Sequence, residues 1–218
     1  MTLAALPRRD EQSREHLDNA ARRARPVVLA GERVLAVPGP LGALLPGGAV
    51  RRGSVVAVDG VPGTGATSVA FQLAAAATAA GEWAVAVELD ASLGGIAARE
   101  AGVVLDRFAV ARRVPPARWA AVVAALLDGI SVVLAEVPAF ARIGDARRLL
   151  ARARERGAVL VAMGPWPAEA ALCLRTGDST WRGLGHGAGT LTGRDLQVHV
   201  DGRGPAARER AGALVQAG

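Results

Sequence analysis

Two hydrophobic rhythms alternate along the middle of this chain. Residues 54–59 ("SVVAVD") form a short apolar run that predicts a strand. Val69, Leu73, Ala76, Ala77 and Ala80 then recur at helical spacing until Gly81 stops the pattern. The alternation continues with a strand predicted at 83–89 and a short helix from Leu93, Ile96 and Ala97 to Gly102. A third strand is predicted at 107–111. Pro116 opens a helix with Trp119, Val122, Val123, Leu126 and Leu127 on one face, closed by Gly129. Residues 130–135 ("ISVVLA") are continuously apolar, the signature of a strand buried on both faces. A helix at 145–156 and a strand at 158–163 follow. Strands alternating with helices predict an α/β fold whose mostly parallel β-sheet is flanked by helices.

The two ends read differently. Residues 8–25 are charged and helix-prone, with a narrow apolar stripe at Leu17, Ala20, Ala21 and Ala24, and predict an N-terminal helix. A segment broken by Pro and Gly leads into the first core strand. After about residue 170 the helical rhythm stops. Short β-like pieces at 172–176 and 195–200 surround a glycine-rich middle and predict an antiparallel C-terminal extension of the sheet edge. The tail "PAARERAGALVQAG" reads as a frayed helix or disordered. The divisions expected are a charged helix at 1–25, an α/β core at 26–170, a β extension at 171–204 and a flexible tail at 205–218.

Composition narrows the function. Hydrophobic residues make up 51% of the 218, but there are only four Trp, three Phe and no Tyr, so Val, Leu, Ile and Ala must build the core. One cysteine, Cys173, excludes an internal disulfide framework and fits a reducing cytoplasm. With His16, His186 and His199 scattered, no metal cluster is expected. The N-terminus lacks the pattern of a signal peptide and no run is long enough to span a membrane, so a cytoplasmic protein is expected. The formal charge is +6 and every cation besides histidine is arginine, because the chain has no lysine.

That absence bears on the stretch "DGVPGTGATSVAF", residues 59–71. It joins a predicted strand to a predicted helix, and Gly60 and Gly65 have the G-x-x-x-x-G spacing of a phosphate-binding loop. Such a loop aims backbone N–H groups at phosphates from the positive end of a helix. Gly60, Gly63 and Gly65 permit that shape, and Thr67 or Ser68 offers a hydroxyl for magnesium. Ala66, however, stands where the phosphate-neutralising lysine belongs. The charge would have to come from an arginine in cis or from a neighbouring subunit. At the end of the 130–135 strand Ala135 occupies the expected position of the magnesium-anchoring carboxylate, with Glu136 one residue on and expected on the opposite face. Asp90, after the second strand, is read as a helix N-terminal carboxylate or cap. The loop is therefore expected to be degenerate, with no catalytic residues and no cofactor.

Several ordered motifs over roughly residues 35–165 resemble the RecA core. "ALLPGGAVRRGSVVAVDGVPGTGATS" is similar to its entry turn, first strand and P-loop; "VELDASLGGIAAREAGVVLDRFAV" is similar to the segment that follows, with Asp90 matching the catalytic glutamate. The resemblance implies a RecA-like core. RecA-type DNA-binding loops have no counterpart, "GPWPAEAAL" being too short. Within the superfamily the chain most resembles the short accessory proteins of bacterial mutasomes, the ImuA type in its actinobacterial form. The similarity rests on "LLPGG", the degenerate loop and "WRGLGHGAG". This implies a non-catalytic accessory in DNA-damage-induced translesion synthesis. It would work with a Y-family-like partner of the ImuB type and an error-prone C-family DNA polymerase.

Two rival readings remain: a RecA-superfamily ATPase with a variant loop, and a cell-division inhibitor of the SulA type. The residues expected to meet a partner are Leu17, Arg22 and Arg23 in the N-terminal helix and Trp181 with Arg182 near the other end. Arg148, Arg152 and Arg156 lie at i, i+4, i+8 and read as a solvated helix face; contact with DNA phosphates or with an acidic partner is the lesser alternative, and any DNA binding would be weak and salt-dependent.

Overall fold

In the computed structural model, residues 34–217 are described apart from Pro62, Ala91, His186, Gly187 and residues 203–209. The predicted N-terminal helix, with Leu17, Arg22 and Arg23, lies outside the described residues.

A small antiparallel pair, β1 (Val34–Ala36) and β2 (Ala49–Arg51), brackets the short helix α1 (Gly39–Leu44) and a 3-10 turn at Pro46–Gly48. The alternating core then runs β3 (Ser54–Asp59), α2 (Ala66–Ala79), β4 (Ala84–Val87), α3 (Gly95–Glu100) and β5 (Phe108–Ala111). It continues with α4 (Trp119–Leu127), β6 (Val132–Glu136), α5 (Ile143–Arg156) and β7 (Val159–Met163). Three long strands complete the fold: β8 (Leu172–Gly185), β9 (Ala188–Gly202) and β10 (Arg210–Ala217).

Among the described residues eight strands make one sheet in the order β10-β9-β8-β3-β7-β6-β4-β5. Every pairing from β8 to β5 is parallel, and β9 and β10 add antiparallel strands at one edge. This is the α/β architecture expected of a RecA-like core. The helix and strand rhythms of residues 54–163 all form the elements they predict, with the bounds of β3 unchanged and the others moved by a residue or more.

Because strand side chains alternate between faces, the sheet builds two cores. Val56 and Val58 face α2, together with Phe71, Leu73, Leu134 and Val161. Val55 and Ala57 face α4 and α5, together with Trp119, Leu127, Val133, Ala135 and Leu149. The core strands are buried on both faces, which is why they read as unbroken apolar runs.

The C-terminal part departs from expectation. The β-like pieces are the ends of two long strands that run through the glycine-rich middle. Gly183 permits this: it sits at φ 101°, and a Cβ there would fall 2.1 Å from the Thr190 carbonyl oxygen across the hairpin. The segment called a frayed helix or disordered contains a strand, since residues 210–217 pair with β9 from Arg210↔Val200 to Ala217↔Gly193. Leu214 is buried in the first core, and Gly212 leaves room for Leu44 of α1. Burying one side chain outweighs weak local helical propensity here.

Candidate functional site

The glycine loop sits where β3 meets α2. Gly63 and Gly65 both have left-handed backbones, φ 87° and 91°, and Gly65 is the N-cap of α2. Among the described residues no side chain caps this helix end, and its first turn carries no acidic residue, so none of them compensates the positive end of the helix dipole. The loop therefore has the backbone character of an anion cradle.

Its surroundings hold it in place. The Gly60 amide donates to Oδ1 of Asp59 at 2.9 Å, and the Thr64 amide donates to the Val61 carbonyl at 3.0 Å. The Thr64 hydroxyl donates to that same carbonyl at 2.6 Å and lies 2.8 Å from the Thr176 hydroxyl of β8. Gly60 is needed for close approach rather than for a left-handed backbone: a Cβ there would lie 2.0 Å from Thr176 Oγ1. Ala66 packs against the first core, Thr67 is exposed, and Ser68 lines a cleft of about 450 Å³ beside α1 and α3 with Pro38 and Gln72.

A residue with no motif around it completes the site. Arg194 of β9 is buried to 8% exposure and reaches the loop, its Nη2 donating to the Gly63 carbonyl at 2.6 Å and to the Ser179 hydroxyl at 2.9 Å. Its guanidinium carbon stands 4.9 Å from the centroid of the Trp181 ring, a cation–π contact. Its Nη1 lies 3.3 Å from where a Gly65 Cβ would be, while Nε is buried without a hydrogen-bond partner among the described residues. The loop thus has an arginine in cis. Sequence reading named that requirement but not the residue, because 131 residues separate Arg194 from Gly63.

Trp181 is 52% exposed, one face turned to Arg194. Arg182 makes an ion pair with Asp195 at 3.2 Å. The two candidate partner-binding residues of the C-terminal part therefore lie together on the hairpin that clamps the loop.

The strand-end carboxylate needs correction. Ala135 was expected to face the loop with Glu136 turned away, whereas Ala135 is buried in the second core against α4 and α5. Leu134 packs on the α2 side, so alternation puts Glu136 on the same face as α2. Its carboxylate is committed to the β4–α3 connection, accepting from the Leu89 amide at 2.6 Å and the Ser92 hydroxyl at 2.5 Å. Asp90 is not a cap: it is exposed, and α3 begins after an N-cap at Gly94. The buried carboxylate of this region is Glu88, fully enclosed, which accepts from the Leu93 amide and pairs with Arg112 at 3.2 Å.

The arginine stripe on α5 is partly neutralised. Asp128, at the end of α4, accepts from Arg152 at 2.6 Å through both oxygens and from Arg156 at 3.1 Å. Arg148 pairs with Asp145 at 2.7 Å. These bonds, Arg152 first, hold the Asp128 carboxyl below its ordinary range. Among the described residues no group of His, Cys, Asp and Glu is placed to hold a metal, and no helix is long and apolar enough to cross a membrane.

A family model, the MT3502 N-terminal domain, matches residues 43–168, more than half of the chain. The chain belongs to this family. The part shared with the MT3502 N-terminal domain runs from α1 through β7 and takes in the glycine loop and Glu136. The hairpin that supplies Arg194, Trp181 and Thr176 lies beyond the matched stretch. No curated protein matches the chain.

Proposed function

We propose that this chain is a non-catalytic RecA-like accessory protein that acts by protein–protein interaction within a DNA-damage-induced translesion synthesis complex. Its partners there are a Y-family-like protein of the ImuB type and an error-prone C-family polymerase. The observation that carries the non-catalytic half is the state of the loop. Ala66 is half-buried against the apolar core, Gly63 is tied to β9 by Arg194, and Glu136 is occupied by Leu89 and Ser92. A loop so engaged serves as the joint between the parallel sheet and its antiparallel edge. The mutasome half is supported by the sequence resemblance in the entry turn, loop and C-terminal segment.

The test is co-purification of the tagged chain with the two polymerase partners from damaged cells, together with induced mutagenesis in a strain lacking it. Loss of the gene should reduce damage-induced mutation. Unchanged mutagenesis and no co-purification overturn the assignment.

A second reading is favoured by one pair of observations. Arg194 brings a guanidinium to the loop, and Glu136 stands on the α2 face. These are a cation and a carboxylate of the kinds a variant nucleotide site needs. A thermal shift of the wild-type chain by magnesium-ATP that Arg194→Met abolishes would favour this reading over the first.

A further inference from the structure

The helix α4 has no polar side chain from Trp119 to Leu127. A helix apolar all round is ordinarily buried. Here only Trp119, Val123 and Leu127 are; Ala121 and Ala125 are exposed, and Ala120, Val122, Ala124 and Leu126 are half-buried. Between α4 and α5 runs a groove of about 950 Å³, whose wall includes Ala120, Ala121 and Ala124 and whose rim carries Phe140, 93% exposed. Trp119 also lines it. Its indole is 2% exposed and its Nε1 has no hydrogen-bond partner among the described residues, which leaves a buried donor unmet.

The rim is basic. Arg142, Arg148 and Arg152 line the groove and Arg118 is exposed beside it, against two acidic lining residues: Asp145, paired with Arg148, and Glu155, 4.0 Å from Arg152, which also pairs with Asp128. An apolar floor inside a cationic border selects its occupant by charge.

We propose that the α4–α5 groove docks an acidic amphipathic helix of a partner protein. Apolar side chains of that helix lie on the alanines, one of them meets Phe140, and carboxylates face the arginines. A second copy of this chain fits less well, since a two-fold contact would set one arginine border against the other. The chain's own residues 8–25 fit less well too, with six arginines against four acidic residues. The inference rests on the reading of the chain as an interaction protein, and not on which complex it serves.

The test uses the full chain and two fluorescein-labelled peptides of about 16 residues. Both carry leucines at i, i+4, i+7 and i+11; the remaining positions are glutamate-rich in one and arginine-rich in the other. Fluorescence anisotropy should show binding of the acidic peptide, weakening as salt rises, and none of the basic one. Phe140→Ala and the double variant Arg118→Glu/Arg142→Glu should each weaken binding at least about tenfold, with unchanged melting temperature because all three residues are exposed. The proposal is overturned if the acidic peptide does not bind, if both peptides bind equally, or if the variants bind like wild type. It is also overturned if the chain dimerises in sedimentation and Ala121→Arg restores the monomer, which assigns the groove to a second copy. Peptide binding without co-purification of the polymerases would remove the mutasome reading and leave the groove.

Discussion

Arg194 donates to the carbonyl oxygen of Gly63 at 2.6 Å, tying the antiparallel edge of the sheet to the loop between its central strand and α2. Because Gly63 has a left-handed backbone, its carbonyl points where an ordinary turn would not send it, and a charged donor satisfies it. The ring of Trp181 covers the guanidinium on one side. Loop, arginine and tryptophan are thus one cooperative unit, although they come from distant parts of the chain.

The first prediction follows from that unit. Arg194→Met should cost about 2–3 kcal/mol, since it removes charged hydrogen bonds from a buried position. In a protein of this size that is a fall in Tm of roughly 4–12 °C. Trp181→Ala should cost about 1 kcal/mol through the lost cation–π contact, and Trp181→Phe less. In a double-mutant cycle followed by thermal melts the two losses should be less than additive. Additive losses would show that the contact contributes nothing.

Two glycines of the loop separate steric need from conformational need. Gly60→Ala places a methyl 2.0 Å from Thr176 Oγ1 and 2.6 Å from Thr64 Oγ1, so β8 must shift; about 2–3 kcal/mol of destabilisation is expected. Gly63→Ala meets open space and bears only the left-handed backbone cost, about 1 kcal/mol. Chemical denaturation checks the order. Adding Thr176→Ala to Gly60→Ala should recover part of the loss, which pure backbone strain would not allow.

The core was legible because local rhythm and tertiary role agree there. The continuous apolar run at 130–135 forms β6, whose residues from Val132 to Ala135 are all buried, and Gly81 and Gly102 end helices with φ values of 82° and 92°. The C-terminal strands were misread because local signals oppose the tertiary outcome. Gly183 looks like a breaker until Thr190 is seen against it, and residues 210–217 look like a weak helix until Leu214 is seen in the core. Arg194 had no signal at all, being one arginine among many whose role comes from register. Glu136 was misassigned by one position, which in a strand inverts the face.

Asp128 gives a pH prediction. Its bonds to Arg152, and then to Arg156, lower its pKa from the ordinary 3.8. A depressed carboxylate contributes stability that is present above the unfolded value and is lost as pH falls through the folded one. Asp128→Asn should therefore melt below wild type at neutral pH, by a small amount because the pair is exposed to solvent. The gap should close as pH drops below about 4, and should narrow in high salt. A gap that stays constant down to pH 2 would assign the loss to the amide itself rather than to charge.

The last prediction concerns the loop chemistry. Ala66→Lys restores the one residue whose absence is plainest in the sequence, yet it should not produce ATP turnover. The lysine would have to leave the apolar contacts that Ala66 makes with the first core, and the cation position beside the loop is already crowded by Arg194 and Leu196. Magnesium would find Glu136 held by the Leu89 amide and the Ser92 hydroxyl. Releasing that carboxylate would unpin the β4–α3 connection. A single charge therefore adds one contact beside a carboxylate and an arginine that already brace the fold. Phosphate release by the Ala66→Lys variant should match that of a heat-inactivated sample, and Ala66→Lys/Arg194→Met should do no better while melting earlier. Turnover in either variant would mean that the loop is one residue from catalysis, and would favour the variant nucleotide site over the accessory reading.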